Sequence, residues 1–189
     1  MNYLIDPEDV INYTRTDAEL ELWWLFSCVV AGKTARTQAK LLDSMLNKLE
    51  GETPFEKFRK MSYNQLRDAL IESRIGQYNR LIKTFWQSLD VDLRNASVEE
   101  LEAIHGVGPK TARMFIMMSR PGARYAALDT HVLKHLRANG IDAPKATPPA
   151  GKRYRELEEA FIALADKAGE TVADYDLAVW KDYSRKEAA

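Results

Sequence analysis

Leu101-Glu102-Ala103-Ile104-His105-Gly106-Val107-Gly108-Pro109-Lys110-Thr111-Ala112 reads as the end of one helix, a tight turn and the start of another. Proline suits the first helical position, because its missing N–H is one of the donors a helix start leaves unpaired anyway. Two glycines around one apolar residue let the backbone turn sharply and keep side chains clear of the new helix N-terminus. Its outward amides then form a place for a phosphate oxygen. Val107 is expected to face the core, and Gly106, Gly108, Lys110 and Thr111 to lie along the phosphate-binding turn. Between His105 and Tyr125, Lys110, Arg113, Arg120 and Arg124 occur with no acidic residue, a local basic stretch in which Arg113 is expected to add a backbone contact. A bare Gly-x-Gly is compatible with a purely structural turn. The fuller string, with Ile before the first glycine and Lys-Thr-Ala opening the helix, favours a hairpin that grips a nucleic-acid backbone without reading its bases.

Nineteen residues beyond Lys110 comes Leu128-Asp129-Thr130-His131-Val132, following the turn at Pro121-Gly122. Asp129 has the position of a helix N-cap, where it can simply satisfy amides of the first turn. Elsewhere, apolar residues recur at three- and four-residue intervals and alternating strand patterns are missing, so the fold class is all-α. One helix is expected from about Asp17 to Ala31 and a second from near Thr34 to Gly51. Ser62 with Gln65 and Ser97 with Glu100 have capping-box spacing. Residues 141–151 hold three prolines and read as the linker to two final helices, about Arg153 to Ala168 and Val172 to Lys186.

Gly106-Val107-Gly108-Pro109-Lys110-Thr111-Ala112 followed by Leu128-Asp129-Thr130-His131-Val132 resembles the helix-hairpin-helix and Gly/Pro-Asp signature of endonuclease III-type DNA glycosylases. Ile75-Gly76-Gln77-Tyr78-Asn79-Arg80 is similar to a further segment of that family, so the likeness spans about Leu20 to Arg137. The resemblance implies a two-lobed helical fold over residues 1–189 with a DNA-binding cleft between lobes. Lobe one would comprise about 30–138, including the hairpin at 101–119, and lobe two about 1–29 plus 152–189. It also implies that Lys110 is the amine nucleophile that attacks C1′ of an extruded nucleotide and leaves a Schiff base, with Asp129 as the assisting carboxylate. That step needs a neutral amine. His131 is implied as a DNA contact or a support for the site, with a structural role equally open.

The four-cysteine iron-sulfur loop of endonuclease III is absent, so the resemblance is to a cluster-free member, and no metal or cofactor is expected. In the region where the family carries a gap-filling glutamine, this chain offers Lys33 and Gln38. Asp174-Tyr175-Asp176-Leu177-Ala178-Val179-Trp180 resembles the closing helix of short archaeal-type 8-oxoguanine glycosylases. It implies a base pocket built from Asp174, Asp176 and Trp180, although the tail Ser184–Ala189 does not reproduce that group's terminal lysine.

Overall charge adds little: 27 Lys and Arg stand against 28 Asp and Glu, so any DNA site is a local patch. The single cysteine, Cys28, excludes an intramolecular disulfide and lies in an apolar run where a buried, inert thiol is expected. The N-terminus lacks a secretory pattern, and no apolar run reaches the roughly 20 residues that span a bilayer. The expectation is an intracellular monomer acting on double-stranded DNA that contains a damaged or modified base, with no membrane partner. Two alternatives stay open at this point, namely a hairpin module that binds DNA without chemistry and a viral-type enzyme that remodels modified thymines.

Overall fold

The computed structural model describes residues 2–188, and side chains as far as Ser184, so the rest of the tail comparison lies outside the described residues. Ten helices and no strand occur among them: α1 (Asp17–Val29), α2 (Ala35–Asn47), α3 (Pro54–Arg59), α4 (Tyr63–Ser73), α5 (Tyr78–Ser88), α6 (Val98–Glu102), α7 (Pro109–Met117), α8 (Thr130–Ala138), α9 (Lys152–Ala168) and α10 (Val172–Ala188). No helix among the described residues is long and apolar enough to cross a membrane. Both expected capping boxes are formed, Ser62 with Gln65 and Ser97 with Glu100, and a third, Thr16 with Glu19, opens α1. Packing divides the chain into two units. The first holds Met1–Val10 and Thr14–Val107, and the second holds Ile11–Tyr13 and Gly108–Ala189. The division therefore falls inside the hairpin, and in the second unit α9 and α10 pack on α8.

In the first unit α1 packs against α2, α3 and α5. Leu22 through Val29 are all buried, as a helix apolar on every side requires. The indole N–H of Trp24 donates to the Ser88 hydroxyl at 2.7 Å, which satisfies the one polar group this ring brings into the core. Burial raises the Cys28 thiol to about 12, so it is inert.

One face of α5 holds the turn of the hairpin. Arg80, Thr84 and Gln87 are spaced i, i+4, i+7 and so share a side of the helix. Arg80 donates to the Gly106 carbonyl at 3.0 Å and to the Cys28 carbonyl at 2.8 Å. The Thr84 hydroxyl donates to the His105 carbonyl at 2.7 Å, and Gln87 accepts from the His105 amide at 2.7 Å. Gly106 has φ +76°, and a Cβ there would stand 2.4 Å from Arg80 Cγ. Glycine is thus required twice over, by backbone conformation and by the approach of Arg80. Val107 is buried, as expected.

In the second unit the Asn12 amide donates to the Met118 carbonyl at 3.1 Å, which ties Ile11–Tyr13 to α7. Two side chains one turn apart on α9 organise the approach to α8. The Tyr154 hydroxyl donates to the Ala126 carbonyl at 2.9 Å and accepts from the Leu128 amide at 3.1 Å. Glu158 accepts from the Ala126 amide and from Arg113 Nε, both at 2.9 Å. The Arg113 guanidinium also lies 4.5 Å from the centre of the Tyr154 ring. The Arg113 and Glu158 side chains are each 10% exposed, so removing either strands its partner in the core.

Two substitutions test these clamps in urea unfolding. Gly106→Ala should cost about 2 kcal/mol or more, from left-handed backbone strain plus crowding against Arg80. Glu158→Ala should cost about 3–5 kcal/mol, the range for a buried ion pair left with one charge.

Candidate active site

Lys110 stands in the first turn of α7. Gly108 is the N-cap and has no side chain to cap the first turn, so the helix start keeps amide donors for an external anion. Lys110 is half-buried, and its Nζ lies 3.2 Å from Met114 Sδ one turn along. Thr111 is buried at the same helix start.

Asp129 is the N-cap of α8, as its sequence position suggests. Its Oδ1 accepts from the Val132 amide at 2.8 Å. The segment leading into it is fixed on both sides. Tyr154 and Glu158 hold Ala126 and Leu128, and the Thr147 hydroxyl donates to the Leu128 carbonyl at 2.6 Å. Capping therefore orients the carboxylate as well as stabilising the helix.

Asp176 of α10 is a further residue expected from sequence to line the site. It is 8% exposed, and its Oδ1 has no hydrogen-bond partner among the described residues. Burial pushes its carboxyl well above the ordinary carboxylate range, the Asp129 charge adds to the rise, and the Lys110 ammonium opposes it.

The remaining sequence expectations are placed as follows. His131 is half-buried, its ring stacked on Tyr183 at 6.1 Å between centroids. Trp180 is half-buried. Asp174 is exposed and accepts a hydrogen bond from Thr171 at 2.5 Å at the start of α10, which makes it a capping partner and separates it in environment from Asp176. Arg113 departs from the expected backbone contact, because its guanidinium is turned into the core and paired with Glu158. Arg124 is paired with Asp166 through two hydrogen bonds of 3.1 and 2.8 Å. The basic stretch of the sequence is thus neutralised in part by acids of α9, which a local count of charges cannot see. Gln38 is buried, so it is not a surface contact, whereas Lys33 is exposed.

The positioning residues Arg80, Thr84, Gln87, Tyr154 and Glu158 were not picked out from sequence as supports for this region. The spacing i, i+4, i+7 on α5 and i, i+4 on α9 is the signal they carry, but it becomes specific only once the opposing backbone is known.

Three likenesses to known proteins bear on this geometry. Residues 91–116 match the helix-hairpin-helix motif. The chain is 32% identical over 134 residues to an 8-oxoguanine DNA glycosylase/AP lyase of Thermotoga sp. (strain RQ2), an alignment that covers 66% of this chain and 59% of that protein. It thus spans somewhat under two thirds of that relative's length. The fold is similar to that of the Methanocaldococcus jannaschii 8-oxoguanine glycosylase/lyase, crystallised in complex with a 15mer DNA containing 8-oxoguanine. The TM-score is 0.64 at 18% identity, covering 88% of this chain and 81% of that one. A hairpin that leads into Lys110, an aspartate capping the following helix and this all-helical architecture are thus features of a chain that carries the helix-hairpin-helix motif and is similar in fold to an 8-oxoguanine glycosylase/lyase.

Proposed function

We propose that the protein is a bifunctional DNA glycosylase and abasic-site lyase acting on oxidised guanine in double-stranded DNA. The observation that carries this reading is a half-buried Lys110 in the first turn of α7 together with Asp129 held as the N-cap of α8, both in the second unit. A lone lysine at a helix start is commonplace. A lysine at a helix start with free amides, followed by an oriented capping carboxylate, has the composition that amine catalysis needs. The relatives named above, an 8-oxoguanine glycosylase/AP lyase and a glycosylase/lyase bound to 8-oxoguanine DNA, support the choice of lesion.

In this reading Gly106, Val107, Gly108 and Thr111 form the turn that takes the DNA backbone, with amides at the start of α7 directed at a phosphate. The target nucleotide leaves the stack at a cost of a few kcal/mol. The neutral Lys110 amine attacks C1′, and the bond to the base breaks. Ring opening then gives a Schiff base, from which loss of a C2′ proton expels the 3′ phosphate. Asp129 stabilises positive charge on the sugar while C1′ is electron-poor. His131 supports Asp129 from the same turn of α8, and Asp176 and Trp180 contribute to the base pocket. The protein works as a monomer inside the cell, where its substrate lies.

Duplexes carrying 8-oxoguanine, oxidised thymine, uracil or an abasic site, incubated with borohydride, test this directly. A covalent adduct should form on the 8-oxoguanine and abasic duplexes and vanish with Lys110→Gln. Duplex binding should weaken steeply as salt rises, because phosphate contacts release counterions. Salt-sensitive binding with no adduct and no base release on any duplex would instead favour a binding module, and a modified but unexcised thymine would favour remodelling chemistry.

A further inference from the structure

The stretch 141–151, which reads from sequence as a linker with three prolines, is tied down along its length. The Ile141 amide donates to the Leu136 carbonyl at 3.0 Å. Arg137 of α8 donates to the carbonyls of Ala143 and Pro144 at 3.3 and 2.5 Å. Arg153, in the first turn of α9, donates to the Asp142 carbonyl and carboxylate. Between Pro144 and α9, the half-buried Thr147 donates its hydroxyl to the Leu128 carbonyl at 2.6 Å, nineteen residues back along the chain. Pro148 and Pro149 follow directly. Proline fixes its own φ and pushes the residue before it to extended backbone, so the chain has few ways to move that hydroxyl.

The peptide that Thr147 grips is the one that leads into Asp129. The Leu128 carbonyl and the Asp129 amide belong to a single rigid plane. Its oxygen accepts from Thr147, and its N–H donates to the Ala127 carbonyl at 2.6 Å, closing a three-residue turn centred on Leu128. On the other side of Asp129, its carbonyl accepts from the Leu133 amide at 2.9 Å and its Oδ1 from the Val132 amide at 2.8 Å. Those two bonds are what a capped helix start provides by itself. The bond from Thr147 is an added restraint from outside α8, and it acts on the plane whose tilt swings the Cα–Cβ bond of Asp129.

We infer that Thr147 is a positioning residue for Asp129, and that the segment 141–151 is a strap which holds this carboxylate in the direction the reaction needs. This rests on the roles of Lys110 and Asp129 given above. Thr147 fixes the peptide plane, the plane fixes Asp129 Cα, and the carboxylate is thereby aimed at the sugar cation. A displacement of about 1 Å in a group of this kind can cost about 100-fold in rate.

Thr147→Val keeps the shape of the side chain and removes its donor, whereas Thr147→Ser keeps the donor. Single-turnover base release is measured on the lesion duplex that the wild type opens fastest, with duplex affinity and thermal melting measured on the same proteins. Thr147→Val should slow release by about tenfold or more while affinity stays within about twofold of wild type, and Thr147→Ser should stay within about threefold of the wild-type rate. A hydroxyl that only satisfied a buried carbonyl would leave the rate of the folded protein unchanged, so equal release by Thr147→Val and wild type overturns the strap and leaves the Lys110 reading intact. An equal loss in Thr147→Val and Thr147→Ser does the same, since the donor would then not account for it, as does a parallel fall of rate and affinity. Absence of release and of borohydride trapping in the wild type overturns the Lys110 reading and the strap with it. If Thr147→Val does not fold, the double variant Pro148→Ala, Pro149→Ala decides, because it keeps the hydroxyl and loosens the exposed segment that holds it. A rate equal to wild type would then overturn the strap, and one lower by about threefold or more at unchanged affinity would support it.

Discussion

The backbone at His105 and Gly106 is held by one face of α5, and the geometry of the hairpin depends on that grip. Each hydrogen bond from Arg80, Thr84 and Gln87 contributes only about 0.5–1.5 kcal/mol net. Their importance is geometric, because three fixed points on two consecutive residues define the direction in which the chain leaves the turn. Gly106 lets Arg80 approach so closely because it has no Cβ. Val107 completes this side of the turn as a buried residue.

Helix α9 does for Asp129 what α5 does for the hairpin. Tyr154 and Glu158 treat the stretch Ala126–Leu128 as an edge to be satisfied, with donors and acceptors placed opposite its amides and carbonyl. The buried Arg113–Glu158 pair joins that support to α7. A buried ion pair is a poor source of net stability but a strict one for geometry, since each charge tolerates few alternative positions. The helix that carries Lys110 and the segment that leads into Asp129 are thus both held by α9.

Much of this was legible in the sequence where the signal is local. The glycine-proline turn, the capping boxes at Ser62 and Ser97, the N-cap at Asp129 and the inert Cys28 are decided by neighbours within a few residues, and all appear in the fold. The fate of Arg113 was not legible, because its partner Glu158 lies 45 residues away on a helix with no marked likeness to the hairpin. The same holds for the packing of the last two helices. Periodicity says that α9 and α10 have apolar faces but not which helix those faces meet, and they meet α8. For Asp174 and Asp176, two positions apart, only the helix register separates an exposed capping partner from a buried acid.

Asp129 serves the architecture with one oxygen and the proposed chemistry with its charge. An asparagine in its place would still accept the Val132 amide, since asparagine and aspartate cap helices about equally well, yet it would bring no negative charge. The two duties are therefore separable by a single amide-for-carboxylate exchange. A lineage built on this scaffold has a short path to descendants that fold, keep the hairpin and have lost the reaction, so that architecture in such relatives is a poorer guide to activity than the identity of this one side chain.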